Sequence, residues 1–239
     1  IMHVCNIDEE SRFGGPEKRI INVATKLYKM GIKTTLIMPN RNNTFFKKYA
    51  IKNKIDFQEM SFSALSLQRK LLIRYILRFL IDIFLLRQKI KGLNPDIVHI
   101  NGAYQFRSAI AAFLARKPVI WHINNTYANP VVFIIFQFIS IFTAKAFIAA
   151  SKPAKKYFLS YPWHRNKECK IIHAPIILSS YYSNKNKQNP NQNLTIGTIS
   201  GFNRQKNPIL FAKTALLVSA IYPKVNFKIA ANIPSFDNK

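Results

Sequence analysis

The sequence predicts an α/β protein built on parallel strands, with a second domain of the same kind begun near its end. Three observations carry this. Short apolar runs alternate with longer stretches at helical spacing from the first residues to about position 176, as repeated β-α-β units require. The run "SNKNKQNPNQN" at 183–193 has no apolar residue and reads as a linker. After it, "LTIGTISG" starts the alternation again. The expected domains are therefore a Rossmann-like unit over 1–182, the linker over 183–193, and an incomplete second unit over 194–239.

The elements follow in order. "MHVCNI" reads as a buried strand. Pro16 suits the first turn of a helix, Ile20, Ile21, Val23, Ala24, Leu27 and Met30 recur at helical spacing, and Gly31 ends it. "KTTLIMP" is the second strand, so the pair is parallel. Residues 40–62 are polar and basic and read as a loop. A long helix is expected over 65–91, where Lys70, Arg74, Arg78 and Asp82 fall four apart as one polar stripe among apolar faces. Such a helix either packs its apolar faces inward or rests on a membrane. "PDIVHI", "PVIWHI", "AFIAAS" and "CKIIHAPI" read as strands, separated by helices over 103–116, 130–143 and 153–160. Beyond the linker come a helix over 208–221 and the strand "VNFKIAA".

Composition narrows the function. Thirty-six Lys and Arg against ten Asp and Glu give a net charge of +26, a field that attracts nucleic acid, an acidic membrane surface or phosphorylated substrates. Nucleic acid is disfavoured, because no helix-turn-helix, RNP or zinc signature occurs and the basic residues are spread along the chain. Abundant Lys, Asn and Ile also fit an AT-rich coding sequence. Two distant cysteines, Cys5 and Cys169, suit a reduced cytosolic protein. The opening "IMHVCNIDEE" has no basic leader and begins on Ile, which reads as a partial frame. The most apolar stretches, 71–86 and 131–144, are respectively charged and short, so neither makes a clean membrane span. After Asp96 only Glu168 and Asp237 remain, which nearly excludes a carboxylate pair in the second half. No His, Asp, Glu or Cys cluster falls at metal-ligand spacing.

A few residues stand out chemically. Gly14 and Gly15 join the first strand to its helix. Adjacent glycines admit dihedrals that a side chain forbids and let backbone approach a phosphate or sugar, or they simply make a tight turn. His122 ends a predicted parallel strand, where open α/β sheets bind ligands, and is either a ligand contact or a structural histidine. Asn124 and Asn125 beside it can bind hydroxyls or shape the turn, and His99 stands at another strand end. His173 reads as structural.

In their order, "GGPEKRIINVATKLYKMGIKTTLIMP", "PDIVHINGAY", "PVIWHINNTY", "AFIAASKPAKKYF", "KIIHAPIIL" and "GFNRQKNPILFAKTALLVSAIYPKVNFKIA" resemble successive signatures of glycosyltransferase family 4. The resemblance implies a GT-B fold, two Rossmann-like domains facing a cleft, and retaining transfer from a nucleotide-sugar donor. It places Gly14 and Gly15 by the donor diphosphate, His122 as the catalytic residue beside the transferred sugar, and Asn124, Asn125 and His99 as acceptor or sugar contacts. Lys206 matches the family's diphosphate-binding lysine. Phe202 stands where the family has arginine, and Arg204, displaced by two, is a candidate for the same phosphates. The family carries a Glu-x7-Glu donor motif in its second domain, and no glutamate follows Glu168 in this chain. The resemblance further implies no resident cofactor or metal, the nucleotide sugar being a substrate. It implies a glycan or lipid-linked acceptor, as in lipopolysaccharide, capsule or exopolysaccharide assembly, at the cytoplasmic face of the inner membrane. An anionic membrane surface is a candidate partner. An inactive truncated remnant of such an enzyme remains the alternative.

Overall fold

Strands buried on both faces need continuous apolar runs, and such runs form the centre of the sheet here. The computed structural model describes residues 1–10, 13–41, 43–63, 69–175, 193–199 and 206–231. It divides the chain into two compact units, Ile1–Ile176 and Ile177–Lys239. The predicted linker, 183–193, lies outside the described residues except for Asn193.

In the first unit the order is β1 (His3–Ile7), α1 (Gly15–Lys29), β2 (Lys33–Pro39), α2 (Thr44–Lys52), β3 (Asp56–Met60), α3 (Arg69–Leu93) and β4 (Ile97–Asn101). It continues with α4 (Phe106–Leu114), β5 (Val119–Ile123), α5 (Pro130–Thr143), β6 (Ala144–Ala149), α6 (Lys152–Leu159) and β7 (Glu168–Ile171). The strands form one seven-stranded sheet in the order β3-β2-β1-β4-β5-β6-β7, with every neighbouring pair parallel. The chain winds outward from β1 in both directions, so the switch point lies between β1 and β4. Cys5 pairs there with Val98 and Asn6 with His99.

Side-chain alternation divides the interior in two. Cys5, Ile7, Val98, Ile100, Trp121 and Phe147 point to one face and pack against α3, α4, α5 and α6. Leu36 and Met38 point to the other and pack with Ile20, Ile21 and Ala24 of α1 and Phe46 and Ala50 of α2. Gly31, at φ +76°, follows the end of α1 in the left-handed region that glycine tolerates best.

Two expectations need correction. Residues 40–62 are not a loop, because they contain α2 and β3. α2 buries only Phe46 and Ala50, too few positions to make a visible period. β3 is an edge strand, "DFQEM", with only Met60 buried, and so it lacks the apolar run of a central strand. The second correction concerns α3, whose apolar residues do not all pack inward. Asp82, on the predicted polar stripe, is completely buried, while Leu77 and Leu80 are 73% and 76% exposed.

The second unit is described through β8 (Thr195–Ile199), α7 (Pro208–Ile221) and β9 (Asn226–Ala230), with β8 and β9 parallel. None of the residues of α7 is buried. Asn207 caps this helix, its side chain accepting from Leu210 N.

Candidate functional site

Register and alternation bring polar side chains together at the switch point. Asn101 is the last residue of β4 and pairs with His122, next to last in β5. Since Ile100 and Trp121 enter the core under α4 and α5, Asn101 and His122 point to the opposite face, toward α1. His99 shares that face but lies in the middle of β4, not at its end as the sequence suggested. Arg19 projects from the buried side of α1, one helical turn after Gly15, and is only 6% exposed.

The four side chains form one cluster. Arg19 Nη2 donates to Asn101 Oδ1 at 2.7 Å, and Asn101 Nδ2 donates to the Ile7 carbonyl at 3.1 Å. Arg19 Nη1 lies 2.7 Å from His122 Nε2 and also contacts His122 Nδ1. The His99 and His122 rings stack with centroids 5.4 Å apart, and His99 Nε2 is 3.3 Å from His122 Nδ1. A second cluster adjoins the first through Asn101. Gln105 Nε2 donates to the Asn101 carbonyl and, at 3.0 Å, to Asp8 Oδ1 just past β1. Asp8 Oδ1 also accepts from Glu10 N at 3.0 Å.

Burial sets the charges. Desolvation, then the Arg19 cation, pushes His122 down to about 2 and His99 down to about 3, the stacked neighbour adding to the effect on His122. Both rings are neutral at pH 7. They can exchange hydrogen bonds with a hydroxyl, but neither stores a proton for general acid catalysis. Burial lowers Arg19 to about 10, so the guanidinium stays charged. Burial raises the Asp8 carboxyl well above its usual range, and the Glu17 charge adds to this. Among the described residues, buried Arg19 Nε and Gln105 Oε1 have no hydrogen-bond partner. A donor and an acceptor are thus left over on the two groups that flank Asn101, as a polar ligand site requires.

The glycine loop stands above this cluster. Gly14 N donates to Glu17 Oε2 at 2.6 Å, which ties the loop to the first turn of α1. Dihedral freedom is not the reason for either glycine: Gly14 has a negative φ of −150°, and Gly15 opens the helix. A Cβ on Gly15 would meet nothing within 4 Å, so this residue leaves open space at the positive end of α1, while a Cβ on Gly14 would meet Glu17 Oε2 at 3.4 Å.

A buried ionic node holds the exit loop of β1 from the other side. Arg107 of α4 donates through Nε to Glu9 at 2.8 Å and through Nη1 to Asp82 at 2.7 Å and Ser63 Oγ at 2.8 Å. Glu9 also accepts from Ser108 N and Oγ.

The predicted site residues therefore fall into separate groups. His122 and His99 join Arg19 and Asn101. Asn125 Oδ1 accepts from Ala103 N at 3.4 Å and so links the loops after β4 and β5, while Asn124 is half-buried beside it. Gly14 and Gly15 lie at the start of α1. Lys206 is exposed just before α7, in the second unit. Arg204 lies outside the described residues. His173 accepts or donates nothing to this cluster among its described bonds and pairs through Nδ1 with the Ala150 carbonyl at 2.9 Å. Sequence reasoning missed Arg19, Asn101, Asp8 and Gln105. The available signal was an arginine on the apolar side of α1, one residue before Ile20.

A buried polar cluster at the switch point of a doubly wound parallel sheet defines an α/β protein of the ligand-binding Rossmann-like class. The chain belongs to Glycosyltransferase Family 4, which matches residues 13–179. Its fold is that of GT-B proteins. MnaA of S. aureus, solved with UDP, superposes with a TM-score of 0.68 at 14% identity, over 98% of this chain and 64% of that one. A glycosyltransferase from Rickettsia africae ESF-5 gives 0.62 at 15% identity, over 97% and 68%. The lipopolysaccharide outer core galactosyltransferase WaaB, in its apo form, gives 0.61 at 13% identity, over 96% and 68%. The chain thus spans less than two thirds of the S. aureus protein's length. No curated protein matches it.

Proposed function

We propose that this chain is the acceptor-side part of a retaining glycosyltransferase that moves a sugar from a nucleotide-sugar donor to a glycan or lipid-linked acceptor. The setting is bacterial surface polysaccharide assembly, of lipopolysaccharide, capsule or exopolysaccharide, at the cytoplasmic face of the inner membrane. The observation that carries the reading is the cluster of Arg19 with Asn101 and His122 at the carboxyl ends of β4 and β5, and with His99 stacked on His122, in a family 4 chain. The names of structurally similar proteins support the substrate class: one was solved with UDP, and another is a lipopolysaccharide galactosyltransferase.

In this reading the Gly14–Gly15 loop and the start of α1 are the candidate phosphate-binding elements of the first unit, and Lys206 and Arg204 are candidates for donor phosphate carried over from the family. Their positive charge stabilises the negative charge that develops on the leaving diphosphate. His122 is 3% exposed beneath Arg19. A sugar reaches it when the guanidinium turns toward a ligand, and the neutral ring then hydrogen-bonds a sugar hydroxyl. Asn124, Asn125 and His99 orient the acceptor or the sugar. The diphosphate leaves from the face the acceptor attacks, which retains the anomeric configuration without a protein nucleophile. No resident metal or cofactor is required.

Calorimetric titration of the chain with UDP- and GDP-sugars is the test, followed by transfer of labelled sugar to a lipid-linked acceptor and NMR of the product anomer. A nucleotide sugar is expected to bind, K206A to weaken binding roughly tenfold, and H122A to lower transfer about a hundredfold. A chain that neither binds nor transfers any nucleotide sugar overturns the proposal and favours the remnant. An inverted product overturns retention alone.

A further inference from the structure

We propose that the groove between α6 and the edge strand β7 binds a phosphate ester that carries a free hydroxyl, of the sugar phosphate class. Two adjoining cavities of about 300 and 320 Å³ lie there. Lys155, Leu159, Tyr161, His164, Arg165 and Cys169 line the first. The second shares Lys155 and Leu159 and adds Lys152, Lys156 and Ile171. The local sequence builds the groove. Lys152, Lys155, Lys156 and Leu159 follow at helical spacing along one face of α6, and Cys169 and Ile171 share one face of β7. α6 starts at the carboxyl end of β6 and runs back along the sheet. Its last turn and the 3₁₀ turn Pro162–His164 therefore lie at the amino end of the strands. The His122 cluster lies at the opposite end, so the two sites are separate.

His164 defines one half of the ligand. It is 3% exposed, and its Nε2 meets Ser140 Oγ at 2.9 Å. Ser140 Oγ gives its own proton to the Gln137 carbonyl at 3.2 Å, which assigns the hydrogen of the imidazole to Nε2 and leaves Nδ1 an acceptor. Nδ1 is buried with no hydrogen-bond partner among the described residues. The Phe136, Phe147 and Trp163 rings pack about the imidazole, and Trp163 Nε1 already donates to Gln137 Oε1. A donor for Nδ1 therefore comes from the cavity. Burial, then the Lys167 charge, lowers His164 to about 4, so the ring is a neutral acceptor at pH 7 and suits a hydroxyl. Charge defines the other half. Lys155 and Arg165 are exposed and have no ion-pair partner among the described residues. Lys167 adds a fixed charge to the wall, its Nζ donating to the Ser140, Ile141 and Ala144 carbonyls. From Ser151 to Ile171 the single carboxylate is Glu168. It alternates with Cys169 and so points away from the groove, where it pairs with Lys170 at 3.2 Å. Lys152 repels Lys155 and Lys156, three and four residues on, and all three crowd the positive end of the α6 dipole. An oxyanion beside Lys155, which both cavities share, relieves that repulsion.

Cys169 in the groove is the reporter, and Cys5, at 0% exposure, is the internal control. Alkylation of the full chain at pH 8 is followed by mass spectrometry in the presence of glucose 6-phosphate, inorganic phosphate, sulfate or glucose. Glucose 6-phosphate is expected to slow alkylation of Cys169 saturably, by about tenfold. Inorganic phosphate keeps one P–OH at this pH and should protect better than sulfate, which has no proton to give to Nδ1. Glucose should not protect. These comparisons use the native chain and do not depend on a variant folding. K155E/R165E, compared with itself without ligand, should need at least about tenfold more glucose 6-phosphate for the same protection. H164F should lose the preference for phosphate over sulfate. K206A should behave as the native chain does, so this proposal and the donor-site reading fail separately. The absence of saturable protection overturns the proposal. So does equal protection by sulfate or by glucose, or protection of K155E/R165E equal to that of the native chain.

Discussion

Arg19 is a cation held beneath α1 by the His122 imidazole and the Asn101 amide, with no carboxylate in direct contact among its described hydrogen bonds. It shapes the acid–base behaviour of its surroundings. His122 and His99 fold with values of about 2 and 3, far below an unfolded histidine at about 6.5. The unfolded chain therefore binds protons that the folded chain refuses. Their contribution to stability is complete above the unfolded value and is lost as pH falls below it, at up to about 1.4 kcal/mol per pH unit for each ring. Asp8 acts in the opposite sense. Its raised value means that stability is lost as pH rises above the unfolded carboxylate range. Urea melts between pH 6.5 and 4.5 should show stability falling with acid, and H122N should make the decline shallower. An unchanged slope in H122N would mean that His122 titrates normally. The sequence pointed to His122 through its place at a strand end. Its only sign of Arg19 was an arginine beside the apolar positions of α1, and since a lone basic residue on a helix is ordinarily solvated, the packing of α1 on the sheet was needed to show it buried.

At the scale of elements, helices and strands were legible where burial was even. β2 was read at its observed bounds, and α5 and α7 likewise. β3 and α2 were not, since an edge strand and a short half-buried helix have no strong period. α3 was recognised as a helix, but its orientation depends on a partner far away in sequence. Arg107 draws Asp82 inward, with Tyr75 stacked beneath the guanidinium at 4.5 Å. R107M removes the cation and leaves Glu9 and Asp82 buried without it, at a cost of about 3–5 kcal/mol. D82N should cost less, because Arg107 keeps Glu9. Urea midpoints of the two variants check the order, and a neutral R107M would show that the node contributes nothing to stability. The node also bears on function, because Glu9 is adjacent to Asp8 and anchors the loop that leads to Gly14.

For the molecule as a whole, both apolar cores lie in the first unit. The second unit is described by one strand pair and a helix with no buried residue, an assembly that is marginal by itself in water. Hydrogen exchange should therefore separate them. Amides of β1, β4 and β5 should exchange only through global unfolding, while those of β8, β9 and α7 exchange orders of magnitude faster. Equal protection in both units would contradict this. The sequence by itself determined the alternation of strands and helices, the glycine loop, the family, and His122 as a residue of interest. Each of these rests on local pattern or on signatures in fixed order, which a chain displays before it folds. Only the tertiary structure decided that Arg19 covers His122, that Asp82 belongs inside with Arg107, and which apolar residues of α3 and α5 are buried and which stay exposed. Those outcomes depend on which groups meet across a hundred residues of chain, and hydrophobic periodicity carries no record of such pairings.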